Sequence, residues 1–133
     1  MEAQVILLDT HVLYWMSNDS KRLSNRAKET IREAREESGV AIATITIWEL
    51  AWLAQHGRIT VVGSVDSFVR ETVARVIHRP MTPEIAVQSV RLSERFPKDP
   101  ADRLIAATAM IEGMRLVTAD AAIRRSKVVE TVW

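Results

Sequence analysis

The sequence predicts an α/β domain whose parallel sheet is covered by helices on both faces. Three observations point there. Short runs that are apolar on both faces stop at polar residues, as strands buried from both sides do. Longer segments with apolar residues at helical spacing lie between those runs. No internal repeat, low-complexity tract or Pro/Gly/Ser-rich linker interrupts the alternation.

Taken in order, Val5-Ile6-Leu7-Leu8 is the first strand, ended by Asp9-Thr10, and a helix is expected to start near His11. Leu23, Ala27, Ile31 and Ala34 recur at helical spacing, with Arg26, Lys28, Arg32, Glu33 and Arg35 on the other faces. Val40-Ala41-Ile42-Ala43 repeats the buried-strand pattern. In the helix that follows, Ile47, Leu50, Ala51 and Ala54 share one face and Glu49 points away from it. Val65, Phe68, Val69, Thr72, Val73 and Val76 mark another helix, and Thr82-Pro83-Glu84 opens a third with proline at its first position. Residues 104–111 are apolar nearly all round, which predicts a deeply buried helix. Arg115-Leu116-Val117-Thr118 is a further strand, and residues 128–132 are read as a last edge strand.

The bulk composition agrees. A chain of 133 residues, 47% hydrophobic, suits a single domain over 1–133 with its own core. The absence of cysteine excludes disulfides and thiolate zinc sites and fits a cytoplasmic protein. No segment approaches the roughly 20 apolar residues that span a bilayer. The start, Met1-Glu2-Ala3-Gln4, lacks the positive region of a signal peptide. A net charge of +1 neither demands nor forbids a nucleic-acid partner.

In doubly wound folds ligands bind beyond the carboxyl ends of the strands. Four acids fall there: Asp9 after the first strand, Glu49 in the first turn after the second, Asp102 opening the buried helix, and Asp120 after the strand ending at Thr118. Each also has a structural use. Asp9 can cap a helix, Thr46 and Glu49 fit a capping box, and Thr118 or Asp120 can cap the short helix that follows. Asp99-Pro100-Ala101-Asp102 reads as a cap, a first-position proline and an acid near the helix dipole. Capping does not require all four acids to share one sheet edge. Clustered carboxylates repel and are best tolerated around a cation. An oxygen-only donor set suits Mg²⁺ or Mn²⁺, and such a site activates water for phosphoryl displacement.

Leu7-Leu8-Asp9-Thr10-His11-Val12-Leu13, Thr46-Ile47-Trp48-Glu49-Leu50-Ala51, the run from Asp99-Pro100-Ala101-Asp102 through Leu104-Ile105-Ala106-Ala107, and Leu116-Val117-Thr118-Ala119-Asp120 together resemble the PIN domain. More narrowly they resemble the toxin ribonucleases of VapBC-type toxin–antitoxin pairs. The resemblance implies a three-layer α/β/α fold with a mostly parallel sheet in the order 3-2-1-4-5. It implies Mg²⁺- or Mn²⁺-dependent RNA cleavage, with Asp9, Glu49 and Asp102 as the central acids and Asp120 as the fourth. It also implies a homodimer held inactive by a small antitoxin protein. The family's acid directly precedes the Leu-Ile-Ala-Ala run, which selects Asp102 and leaves Asp99 as the cap.

Around the acids, Thr10 and Thr118 are candidates to hold carboxylates or bound water. Lys98, Arg103, Arg124 and Arg125 are candidate phosphate contacts, the alternative being solvated charge. His11, His56 and His78 have no ligand spacing. Trp48 and Trp52 stand one turn apart, which reads as a second buried face, with a partner groove as the alternative. The competing functions are a phosphoacceptor-like regulatory domain and a PIN module that only binds. A phosphoacceptor needs an acidic pair after the first strand, where only Asp9 stands.

Overall fold

The first strand, β1 (Ile6–Leu8), is completely buried and occupies the middle of the sheet. The structure is a computed structural model that describes residues 4–133. The signal-peptide reading rests partly on residues 1–3, which lie outside the described residues. Beyond β1 come α1 (Thr10–Asn18), a 3₁₀ turn (Ser20–Arg22), α2 (Asn25–Glu37), β2 (Val40–Ala43) and α3 (Thr44–Gln55). They are followed by α4 (Val65–Val73), β3 (Ile77–Arg79), α5 (Pro83–Arg91), α6 (Pro100–Glu112), β4 (Leu116–Val117), α7 (Ala121–Ser126) and β5 (Thr131–Val132). The five strands pair in the order 3-2-1-4-5, every pair parallel.

The layers follow from the period of two along each strand. Ile6, Leu8, Val40, Ile42, Val117 and Val132 face one way, onto Leu13 of α1, Ala27 and Ile31 of α2, Leu50 of α3 and Phe68 of α4. Leu7, Ala41, Ala43 and Leu116 face the other way, onto Phe96, Ile105, Ala106 and Ala109. The small side chains of β2 and α6 on this second face let helix and sheet approach closely. Each fully buried aliphatic side chain contributes about 1.5–3 kcal/mol of transfer free energy, so the two cores hold β1 in place from both sides.

Two glycines hold backbone conformations that residues with a side chain rarely adopt. Gly39 has φ +116°, and a Cβ there would lie 2.6 Å from Ile77 Cδ1. Gly113 ends α6 in the left-handed region, at φ +67°.

The structure departs from the sequence-based expectation in several places. β3 was not among the strands read, because Ile-His-Arg at a sheet edge has no apolar run to betray it. The last strand is confined to Thr131–Val132, and Leu23 precedes α2 instead of joining it. In α6 the buried run is Ile105 to Ala109, while Ile111 is exposed. Trp48 and Trp52 form no second buried face: Trp48 is 58% exposed and Trp52 38%.

Arg103 was a candidate phosphate contact, but the fold uses it. Its guanidinium donates to the carbonyls of Ser89, Leu92, Ser93 and Phe96 at 3.0–3.3 Å, tying the end of α5 and the following loop to α6. A planar five-donor fork can serve four carbonyls at once, and an ammonium cannot match it. Arg103→Ala is expected to cost about 2 kcal/mol in a urea melt, the scale of hydrogen bonds to a charged donor. Arg103→Lys is expected to recover less than half of that.

Candidate active site

The carboxyl ends of β1 and β4 lie side by side because Leu8 registers with Val117. Asp9 leaves β1 there and becomes the N-cap of α1, its Oδ1 accepting from the Thr10 N–H at 2.8 Å. Its Oδ2 accepts from the Thr118 hydroxyl at 2.7 Å. The Thr118 oxygen in turn accepts from the Asp120 N–H at 3.1 Å, and Asp120 caps α7 through Ile123 N–H. One threonine therefore locks the two strand ends, and with them two of the four acids, into a fixed relation.

Glu49 arrives by another route. α3 begins at Thr44 directly after β2, with Ala43 as N-cap and no side-chain cap. The capping box expected between Thr46 and Glu49 therefore does not form, and Glu49 lies in the second helical turn. Its Oε1 accepts from the Thr10 hydroxyl at 2.5 Å, and the Thr10 and Thr46 hydroxyl oxygens are 3.1 Å apart. The Thr10 proton is committed to Glu49, so the fully buried Thr46 donates to Thr10. Sequence reading named Thr10 and Thr118; it took Thr46 for a cap because its spacing to Glu49 fits one.

Asp102 stands in the first turn of α6, whose N-cap is Asp99, accepting from Ala101 N–H at 2.8 Å. The cap reading of Asp99 thus holds, but Asp99 also borders the acids. Asp9, Glu49, Asp99, Asp102 and Asp120 all line one cavity of about 510 Å³, together with His11, Trp15 and Arg22. Of the basic residues put forward from sequence, Lys98, Arg103, Arg124 and Arg125, none lines it. Arg22 does, and its polar segment between two helices offered no pattern by which to single it out.

The electrostatics are those of an uncompensated acid cluster. Burial raises the Asp9 carboxyl, against the lowering effect of its hydrogen bonds from Thr118 and Thr10. Burial also raises Glu49, with Asp9 and Asp99 adding to it. Asp102 is pushed up to about 7, first by burial and then by repulsion from Asp9, Asp99, Asp120 and Glu49. Among the described residues no three acid or histidine side chains stand as a ready-made ion cage. Threonine hydroxyls occupy one oxygen each of Asp9 and Glu49, and the Thr10 N–H occupies the other oxygen of Asp9. The donor set itself, all oxygen and partly desolvated, fits a hydrated Mg²⁺ or Mn²⁺ that touches one or two carboxylates and reaches the others through water.

Beside this basin runs a second cavity of about 670 Å³, lined by Ile45, Trp48, Trp52, Leu53, Pro100 and Ala101 and sharing Glu49 and Asp99 with the first. Trp48 and Trp52 stand on its α3 wall with ring centroids 6.5 Å apart, and His56, the C-cap of α3, stacks on Trp52 at 4.1 Å.

Comparison with known proteins agrees with this arrangement. Residues 6–128 match the PIN domain family. Ribonuclease VapC22 from Mycobacterium tuberculosis (strain ATCC 25618 / H37Rv) is 44% identical over 130 residues, covering 96% of this chain and 98% of that protein. Among solved structures, VapBC2 from Rickettsia felis, bound to a DNA fragment from its promoter, superposes with a TM-score of 0.72 at 16% identity over 96% of both chains. DNA-bound VapBC from Salmonella typhimurium gives 0.70 at 18% identity, again over 96% of both. At these identities the structural likeness speaks for the fold.

The raised Asp102 has a measurable consequence. An acid whose folded pKa, about 7, exceeds its ordinary value of 3.8 favours folding while protonated. That contribution is complete below about pH 4 and lost as pH rises through 7. In chelator, Asp102→Asn is therefore expected to be more stable than the wild type at pH 8. The gain should be on the order of 1–2 kcal/mol, reduced from the full linkage value because the group is partly open to solvent. In thermal melts the difference should shrink as pH falls and vanish only below about pH 4.

Proposed function

The chain belongs to the PIN-domain family, and from that premise we propose that it is a divalent-metal-dependent endoribonuclease, the toxin of a toxin–antitoxin pair, working as one PIN-like domain over residues 1–133. The observation that carries this reading is the partly desolvated cluster of Asp9, Glu49, Asp102 and Asp120 in one basin at the carboxyl edge of the sheet. The substrate is RNA in single-stranded or loop form, whose backbone and bases a duplex would hide.

Asp9, Glu49, Asp102 and Asp120 are the residues that would hold a Mg²⁺ or Mn²⁺ ion. When bound, the ion supplies water activation and charge neutralisation at the phosphate. The chain does the rest. Thr118 orients Asp9, Thr10 orients Glu49, and Thr46 fixes Thr10. Asp102 holds a proton for part of the time at neutral pH and gives it up when the site is loaded, so loading releases protons and strengthens with pH. Asp99 keeps the N-terminus of α6, and with it Asp102, in register.

The proposed partner is a small antitoxin protein that blocks the site, and the enzyme works as a cytoplasmic homodimer. Among the described residues no helix is long and apolar enough to cross a membrane. The Trp48–Trp52 groove supports the partner assignment because it is apolar, exposed and continuous with the basin through Glu49 and Asp99. An amphipathic segment seated there can extend a basic side chain to the carboxylates.

Two experiments test this reading. Single-stranded RNA should be cut in Mg²⁺ or Mn²⁺. Asp9→Asn and Asp102→Asn should abolish cleavage with the circular dichroism unchanged. Undiminished cutting in saturating chelator would overturn the metal dependence. Co-expression with the neighbouring short reading frame should yield a co-purifying small protein, and Trp48→Ala with Trp52→Ala should release it. Capture that ignores both tryptophans would move the partner to another surface.

A further inference from the structure

Deepening the ribonuclease reading, on which it rests, we propose that Arg22, carried on the face of Trp15, is the clamp that holds a substrate phosphodiester beside the one to be cut. The basin is lined by five carboxylates. An RNA strand brought to it carries more negative charge. A divalent ion answers the charge at the reacting phosphate, but the next phosphate along the strand needs a cation of its own. Arg22 is the arginine or lysine that lines the cavity.

Its placement suits that task better than it suits neutralising the acids. Among the described residues the ion pairs lie elsewhere, within helices, where Arg32 pairs with Glu29 and Glu36 and Arg70 with Asp66. Arg22 lies close to a crowd of carboxylates and yet pairs with none of them. Its guanidinium carbon instead sits 5.0 Å from the centroid of the Trp15 ring. That ring is itself flanked by His11 and Trp133, each with centroids 5.9 Å away. The 3₁₀ turn fixes the backbone, Arg22 N–H donating to Asp19 carbonyl at 3.1 Å. A guanidinium laid against an indole keeps its charge and its in-plane N–H groups available, and loses less freedom when it takes hold of a phosphate. Phosphate is the anion that a planar fork of donors recognises.

The test is binding of a labelled single-stranded oligoribonucleotide in Ca²⁺ over a range of salt, for the wild type, Arg22→Ala, Arg22→Lys and the surface control Arg70→Ala. Arg22→Ala is expected to weaken binding about tenfold and to flatten the plot of log affinity against log salt by about 0.7, the value of one phosphate contact on a single strand. Arg22→Lys should keep the wild-type slope at intermediate affinity, because the charge remains and the planar stack is lost. Arg70→Ala should match the wild type. Arg22→Ala binding with wild-type slope and affinity overturns the clamp, as does an Arg22 effect confined to a co-purifying protein. Wild-type protein that shows the Arg22-dependent slope but cuts nothing in Mg²⁺ or Mn²⁺ leaves the clamp standing and removes the nuclease reading. Cutting that is insensitive to Arg22 does the reverse.

Discussion

Everything in this molecule depends on β1 lying between β2 and β4 with all three strands parallel. Parallel pairing sends the carboxyl ends of the strands to one edge, so the residues that leave those ends meet whatever their distance in sequence. Asp9 and Asp120 lie over a hundred residues apart, and the Thr118 hydroxyl bonds to both. Had β4 run the other way, Asp120 would sit at the far edge and Thr118 would have nothing to hold. The buried aliphatics on both faces of β1 are what make this register costly to leave, since a slip by one residue exchanges the two cores.

The acids are not simply hung on this frame. Asp9, Asp99 and Asp120 are each the N-cap of a helix, and Asp102 lies in a first turn. Three helices therefore point their amino ends at one basin. The partial positive charge of such an end favours a nearby carboxylate by about 0.3–1 kcal/mol. The same residues that repel one another are thus held individually by the helices they begin. The capping position and the cavity do not compete: at Asp9 and Asp120 a single carboxylate fills the one and lines the other.

The layer order, most helix starts and the edge occupied by the acids were legible because each rests on a local rule. Buried strands read as apolar runs, Thr82-Pro83 opens α5 as a cap and proline do, and acids after strands follow from topology. The misreadings share a cause. Glu49 was given a capping partner because Thr46 stands three residues before it, but α3 starts two residues earlier, and long-range contact with Thr10 claims both side chains. Trp48 and Trp52, one turn apart and off the Ile47/Leu50 face, read as a second buried face because a helix in this fold can be sandwiched, and no local signal announces that a helix face has been left uncovered. Ile77–Arg79 was missed because pairing with β2, not its own composition, makes it a strand. Arg22 and Arg103 look alike in sequence; what separates them is that four carbonyls surround one and an indole the other.

The central position of the earliest strand also governs how the molecule comes into being. During synthesis β1 emerges first, and β2 can join it after some forty residues. Its other flank stays unpaired until Leu116 and Val117 have left the ribosome. Until then the Asp9 carboxylate lacks the Thr118 hydroxyl, and Asp120 does not yet exist. Pairing across so long a span closes a large loop and comes late in folding. The basin is thus completed only once residues 116–120 have emerged, and no nascent piece that stops short of Asp120 carries all four of its acids.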